Sequence, residues 1–109
     1  MTWVTIGRLE DIPLRGARCV DTPEGRIAVF RTVDDKVFAM EDSCPHKRGP
    51  LSQGIVHGTS VTCPLHNWVI SLESGEAQGA DIGQVRTVAV RNDNGTLRLD
   101  LAEMRIAAE

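Results

Sequence analysis

Six residues in this chain of 109 are of a type that binds soft or borderline metals, and four of them fall into one pattern. Cys44-Pro45-His46 is followed, after sixteen residues, by Cys63-Pro64-Leu65-His66, giving C-x-H-x16-C-x2-H. Thiolate and imidazole together suit a transition metal rather than Mg2+ or Ca2+. Two short chelating pairs on two loops can grip a metal centre from both sides. Each pair carries a proline, which stiffens the turn and removes one backbone donor. Two chemistries fit the donor set. A structural zinc ion would take all four ligands in one tetrahedron. Zinc fingers, however, usually group Cys with Cys and His with His, whereas here each pair mixes the two. A mixed pair suits a diiron cluster in which one iron takes both thiolates and the other both imidazoles.

The segments flanking the pattern are strand-like and must form the frame that positions it. Trp3-Val4-Thr5-Ile6, Ala17-Arg18-Cys19-Val20, Ile27-Ala28-Val29-Phe30 and Lys36-Val37-Phe38-Ala39-Met40 are short runs separated by turn residues, among them Thr22-Pro23-Glu24-Gly25 and Asp34-Asp35. Arg86–Val90 and Thr96–Leu101 alternate polar and apolar around Asn92-Asp93-Asn94-Gly95, a strong hairpin signal. This pairing predicts a buried face of Val88, Val90, Leu97, Leu99 and Leu101. The tail, 102–109, is the one stretch with a helical period, and it is too short to hold as a helix without docking. Residues from Asp42 to about Gly83 are rich in Gly, Pro, Ser, His and Cys, with only short apolar runs such as Ile55-Val56, Ser60-Val61-Thr62 and Trp68-Val69-Ile70. Loops of that length in a small domain point to function. The expected fold is all-β, an antiparallel sandwich or barrel in one domain over 1–109, with a ligand-bearing subdomain at about 42–83.

Composition narrows the function. With 41% apolar and 25% charged residues and a net charge of −3, the chain reads as an ordinary soluble domain, with no sign of nucleic acid or an anionic membrane as partner. No apolar run approaches the length of a membrane span, and the N-terminus lacks the pattern of a secretory signal. Three cysteines make an odd count, which argues against a secreted disulfide framework and for a reducing, cytoplasmic setting. No phosphate loop, Ser-His-Asp set or Cys-His nucleophile pair occurs, so independent catalysis is not expected.

The C-x-H and C-x2-H pairs in this order closely resemble those of the Rieske ferredoxin family. The resemblance implies a [2Fe–2S] cluster held by Cys44, His46, Cys63 and His66. Cys44 and Cys63 would take the inner iron, His46 and His66 the outer iron near the surface. It also implies an antiparallel β-sandwich or barrel capped by a small subdomain made of the two ligand loops. High-potential members carry an extra cysteine in each ligand loop, at positions matched here by Gly49 and Leu65. They also carry a serine two residues after the second histidine, where this chain has Trp68, and a nearby tyrosine; this chain has no tyrosine. Fewer donors to the cluster sulfurs imply a ferredoxin-type potential at the low end of the range.

Within the family, the run Cys44-Pro-His-Lys-Arg-Gly-Pro-Leu-Ser-Gln-Gly-Ile-Val and the run from Cys63 through His66-Asn67-Trp68 to Glu73-Ser74-Gly75-Glu76-Ala77 resemble one branch, the small subunit of assimilatory NAD(P)H-dependent nitrite reductase. That likeness implies a partner, a large subunit carrying flavin, an iron–sulfur cluster and sirohaem that reduces nitrite to ammonium. The chain would then be part of an oxidoreductase without a substrate site of its own. The alternative is a free-standing ferredoxin served by a small reductase and delivering electrons to an oxygenase. Other residues have simpler readings. Cys19 is expected to be a buried structural thiol and His57 a turn or surface histidine. Lys47 and Arg48 fit either a positive collar for an acidic partner or solvated loop charges. Trp68 and Leu65 are expected to shield the cluster, and Gly49, Gly54, Gly75 and Gly79 to supply permissive backbone angles.

Overall fold

The computed structural model describes residues 3–22, 25–43, 50–64, 68–78 and 83–106, with the backbone alone for 101–106. It is all-β. Among the described residues, nine strands form two antiparallel sheets: β1 Trp3–Arg8, β2 Ala17–Thr22, β3 Gly25–Arg31, β4 Val37–Glu41, β5 Ile55–His57, β6 Ser60–Thr62, β7 Val69–Ser71, β8 Arg86–Asp93 and β9 Thr96–Ile106. The larger sheet runs β1-β9-β8-β4-β3-β2 and curls toward a barrel; the smaller runs β5-β6-β7.

The large sheet nearly closes because its edge strands are tied by side chains. Arg18 on β2 donates from Nη1 to the Ile6 carbonyl on β1 at 2.7 Å, and lies 3.7 Å from Asp11. Arg31 on β3 donates to the Ile12 carbonyl at 2.7 Å. Each of these bonds gives a backbone carbonyl a side-chain donor, and the Arg18 bond bridges the two edge strands.

β3 and β4 are buried on both faces, which is why Ile27-Ala28-Val29-Phe30 reads as a continuous apolar run. One face carries Ile27, Val29, Ala39 and Val88 against Leu97, Leu99 and Ile12, forming the barrel interior. The other carries Ala28, Phe30 and Met40 against Val56, Val61, Ile70 and Leu72, so the small sheet packs on the outside of the barrel. The short apolar runs in the middle of the sequence are therefore strands whose inward residues, Val56, Val61 and Ile70, alternate with more exposed neighbours.

The predicted hairpin is present. Asp93 pairs with Thr96, and the two turn residues, Asn94 at φ 52° and Gly95 at φ 92°, have the left-handed angles that a two-residue hairpin requires. Val88, Leu97 and Leu99 are buried and Val90 packs against them, as the alternation predicts; the Leu101 side chain is outside the described residues. The tail differs from expectation. Instead of a helical end, β9 continues to Ile106, where Arg86 pairs with Ile106 and Thr87 with Arg105. Between that pairing and Ala89↔Asp100, β8 advances two residues while β9 advances five, so a bulge absorbs the excess. The backbone groups of 105–106 are satisfied by the ladder, which outweighs a weak local helical preference. Residues 107–109 lie outside the described residues.

Candidate metal centre

Both segments that carry the Cys/His pairs are closed at the base by specific hydrogen bonds. The first leaves β4 at Glu41. The Asp42 amide then donates to the Arg26 carbonyl at 2.9 Å, which continues the pairing of β4 with β3. The Asp42 carboxylate accepts from the Ser52 amide at 2.8 Å through Oδ1 and from the Ser52 hydroxyl at 2.9 Å through Oδ2. Asp42 and Ser52 thus pinch together the two ends of the segment that holds Cys44 and His46. Leu51, in the short 3-10 turn Leu51–Gln53, is fully buried in the outer core and anchors the returning chain.

The second segment spans the connection from β6 to β7. The Cys63 amide donates to the Trp68 carbonyl at 2.7 Å, so 63 and 68 close the loop that holds His66. Cys63 has no exposed surface and sits in the outer core with Ala28, Met40, Leu51 and Val61. Trp68 is half-buried against the same cluster. One candidate thiol is therefore in a dry, apolar setting at the root of its loop, an environment that limits water and tunes a metal centre. Cys44, His46 and His66 lie outside the described residues, as do Lys47, Arg48, Gly49, Leu65 and Gly79.

The donor set and the setting fit an iron–sulfur cluster. The four candidates are two thiols and two imidazoles on two loops, and the one placed thiol sits on the apolar side of its loop, away from water. The Rieske [2Fe-2S] domain family matches residues 2–98, most of the chain. The chain belongs to this family. Its cofactor is accordingly a Rieske-type [2Fe–2S] cluster, and its role is electron transfer in association with an oxidoreductase. The anthranilate 1,2-dioxygenase ferredoxin subunit of Burkholderia cepacia is 38% identical over 76 residues, 69% of each protein. The ferredoxin component of the naphthalene 1,2-dioxygenase system of Pseudomonas putida is 29% identical over 101 residues, 92% of this chain and 96% of that one. Among solved structures, an oxidoreductase named as the small subunit of an NADPH nitrite reductase superposes with a TM-score of 0.82 at 27% identity, covering 92% of this chain and 99% of that one. The ferredoxin of carbazole 1,9a-dioxygenase from Nocardioides aromaticivorans gives 0.81 over 91% and 97% of the two chains at 22% identity, which speaks to the fold alone.

Two residues outside the ligand pattern, Cys19 and Gly54, differ from their expected roles. Cys19 is an exposed residue on β2, not a buried one, and its thiol donates to Asp42 Oδ2 at 3.3 Å. Desolvation is the main cause that holds this thiol above the ordinary cysteine range; the Asp42 bond and charge add to it, while Ser52 and Arg26 pull the other way. Gly54 has φ −80°, so it needs no permissive angle. It is small because its Cα faces the Thr62 carbonyl, where a Cβ would lie 2.2 Å from the oxygen. Gly75, by contrast, has φ +78° and uses the permissive backbone angle expected of it. His57 is exposed on β5, and its Nε2 lies 2.7 Å from the hydroxyl of Thr62, the residue before Cys63. The Asp42–Ser52 pair escaped the sequence reading altogether. An Asp two residues before a candidate ligand looks like any turn residue until the fold brings Ser52 back to it.

Proposed function

We propose that this chain is the small subunit of an assimilatory nitrite reductase [NAD(P)H], with Cys44, His46, Cys63 and His66 as the cluster ligands and 42–83 as the cluster-binding subdomain of a single domain. The observation that carries this reading is the run from His66-Asn67-Trp68 to Gly75-Glu76-Ala77, together with the near-complete overlap, at 27% identity, with a structure named as a nitrite reductase small subunit. When bound, the cluster supplies reversible one-electron transfer. The chain's own work is to hold it: Cys63 and its apolar neighbours keep one side dry, while the hydrogen bonds at the loop bases fix the ends of both ligand segments. In this reading the protein works in the cytoplasm beside a large flavin and sirohaem subunit. Among the described residues no helix is long and apolar enough to cross a membrane.

A second reading has its own support. The 38% identity to an oxygenase ferredoxin subunit favours a free-standing carrier that takes electrons from a small reductase and passes them to an oxygenase. Affinity capture of the tagged chain from its own host grown on nitrate separates the two. Recovery of a large sirohaem flavoprotein is the expected result. Recovery of an oxygenase or a small reductase instead would transfer the assignment to the ferredoxin.

The low-potential expectation applies to both. Rieske centres span about −150 to +300 mV. With Trp68 where a hydroxyl donor would stand and no tyrosine in the chain, the reduced state lacks two donors that stabilise it. Protein-film voltammetry should give a midpoint below zero; a value above about +100 mV on that scale contradicts this account of the donors.

A further inference from the structure

We propose that Asp42 is a positioning residue for the cluster: through Ser52 and Cys19 it fixes the base of the segment carrying Cys44 and His46, and so governs cluster retention and potential. The inference rests on the ligand assignment proposed above and extends it to residues that bind no iron.

The geometry has three parts. The carboxylate holds Ser52 twice, through the amide at 2.8 Å and the hydroxyl at 2.9 Å, which fixes distance and orientation together. Bonds to an ionised acceptor are stronger than neutral ones, and a two-point grip resists twisting as well as separation. On its other side the same carboxylate accepts from the Cys19 thiol of β2. Cys19 pairs with Ala28, and Ala28 with Met40, so Cys19, Ala28, Met40 and Asp42 share the face of the large sheet that carries the outer core. Asp42 therefore ties the loop to the turn at Leu51–Gln53 and also to the rigid barrel wall. A carboxylate at this place is not a neutral choice. It puts a negative charge two residues from Cys44, which works against adding an electron nearby. Holding the loop while keeping the potential low is one role that uses both its bonds and its charge.

Residues that orient metal ligands typically change affinity by about 10- to 100-fold when removed. Asp42→Ala should accordingly speed bleaching of the cluster absorbance in the presence of a chelator by about tenfold or more. Asp42→Asn keeps an acceptor for Ser52 but loses the charge; it should bleach at an intermediate rate and show an upward shift in midpoint potential. Ser52→Ala, which removes the hydroxyl and leaves the backbone bond, should give a smaller rise in bleaching rate and leave the potential nearer the parent value. If Asp42→Ala does not fold, the other two variants carry the test. Parent-like bleaching and potential in Asp42→Asn and Ser52→Ala overturn the proposal, including the case in which only the melting temperature falls, since that is the mark of a merely structural bond. Cys63→Ala, made alongside, separates the two levels of inference. A cluster retained there removes the ligand assignment and the Asp42 proposal with it. A cluster lost there, with parent behaviour in the Asp42 and Ser52 variants, overturns the Asp42 proposal alone.

Discussion

Replacing Cys63 with alanine is expected to abolish the cluster while leaving a folded chain. In the proposed ligand set Cys63 supplies one of the two thiolates that hold one iron, and losing it leaves that iron half-coordinated by the protein. Among the described residues of its core cluster, Ala28, Met40, Leu51, Val56 and Val61 carry no second thiol. The one other described cysteine, Cys19, is exposed on β2 and engaged with Asp42. The packing cost is modest, about 1 kcal/mol, because alanine removes one atom from the outer core and introduces no polar group; the stabilisation that a bound cluster adds is lost on top of it. Serine is the harsher exchange for stability, since it leaves a hydroxyl in an apolar site at a cost of about 1–3 kcal/mol when no partner is found. Iron and sulfide analysis, the visible spectrum and the EPR signal of the reduced sample read the first effect; circular dichroism reads the second. Two irons retained per Cys63→Ala chain would remove Cys63 from the ligand set.

The parts of this molecule that announce themselves in the sequence are those where a local pattern and the tertiary environment agree. Asn94-Gly95 sits between two alternating runs, and both demands meet in one hairpin. β3 and β4 are legible as strands, but their burial on both faces is visible only once the small sheet is seen packed outside the barrel. The small sheet itself is hard to read because its strands are three residues each, too short for a period to show. The extension of β9 to Ile106 is invisible for a different reason. Nothing local favours it, and the backbone of β8 recruits it across a bulge. At the candidate metal centre the proposed donor residues stand out because their types are rare and their spacing is chemical. What holds them does not. Asp42 with Ser52, and Cys63 with Trp68, are ten and five residues apart and of common types, and the bonds exist only because the chain returns to its starting point. Cys19 is exposed because β2 is the terminal strand of the large sheet, a position its local sequence does not reveal.

Gly54→Ala is expected to destabilise the protein more than Gly58→Ala, even though backbone preference alone predicts the reverse. Gly58, in the turn between β5 and β6, has φ +57°, and a Cβ there would meet nothing within 4 Å. Its substitution costs only the left-handed conformation, about 1–2 kcal/mol. Gly54 has an ordinary φ of −80°, which alanine adopts freely. The added Cβ, however, would lie 2.2 Å from the Thr62 carbonyl oxygen, 3.0 Å from Val61 Cγ2 and 3.1 Å from the Leu51 carbonyl oxygen. Two of these three are backbone and cannot rotate away. Relief requires β5 and β6 to separate at Ile55↔Thr62, the pair next to the clash. Overpacking of a tight site costs about 1–3 kcal/mol, and a backbone contact this short belongs at the top of that range. For a domain of this size, about 2–3 kcal/mol corresponds to a fall in melting temperature of roughly 10–20 °C. The displacement also reaches the cluster, because Thr62 leads directly into Cys63 and Leu51 anchors the return of the other ligand segment. Gly54→Ala should therefore lose its cluster faster than the parent under chelator, whereas Gly58→Ala should bleach at the parent rate. Equal melting temperatures for the two variants, or a lower one for Gly58→Ala, would show that the β5–β6 contact yields easily and that Gly54 is not what holds the two ligand segments at their spacing.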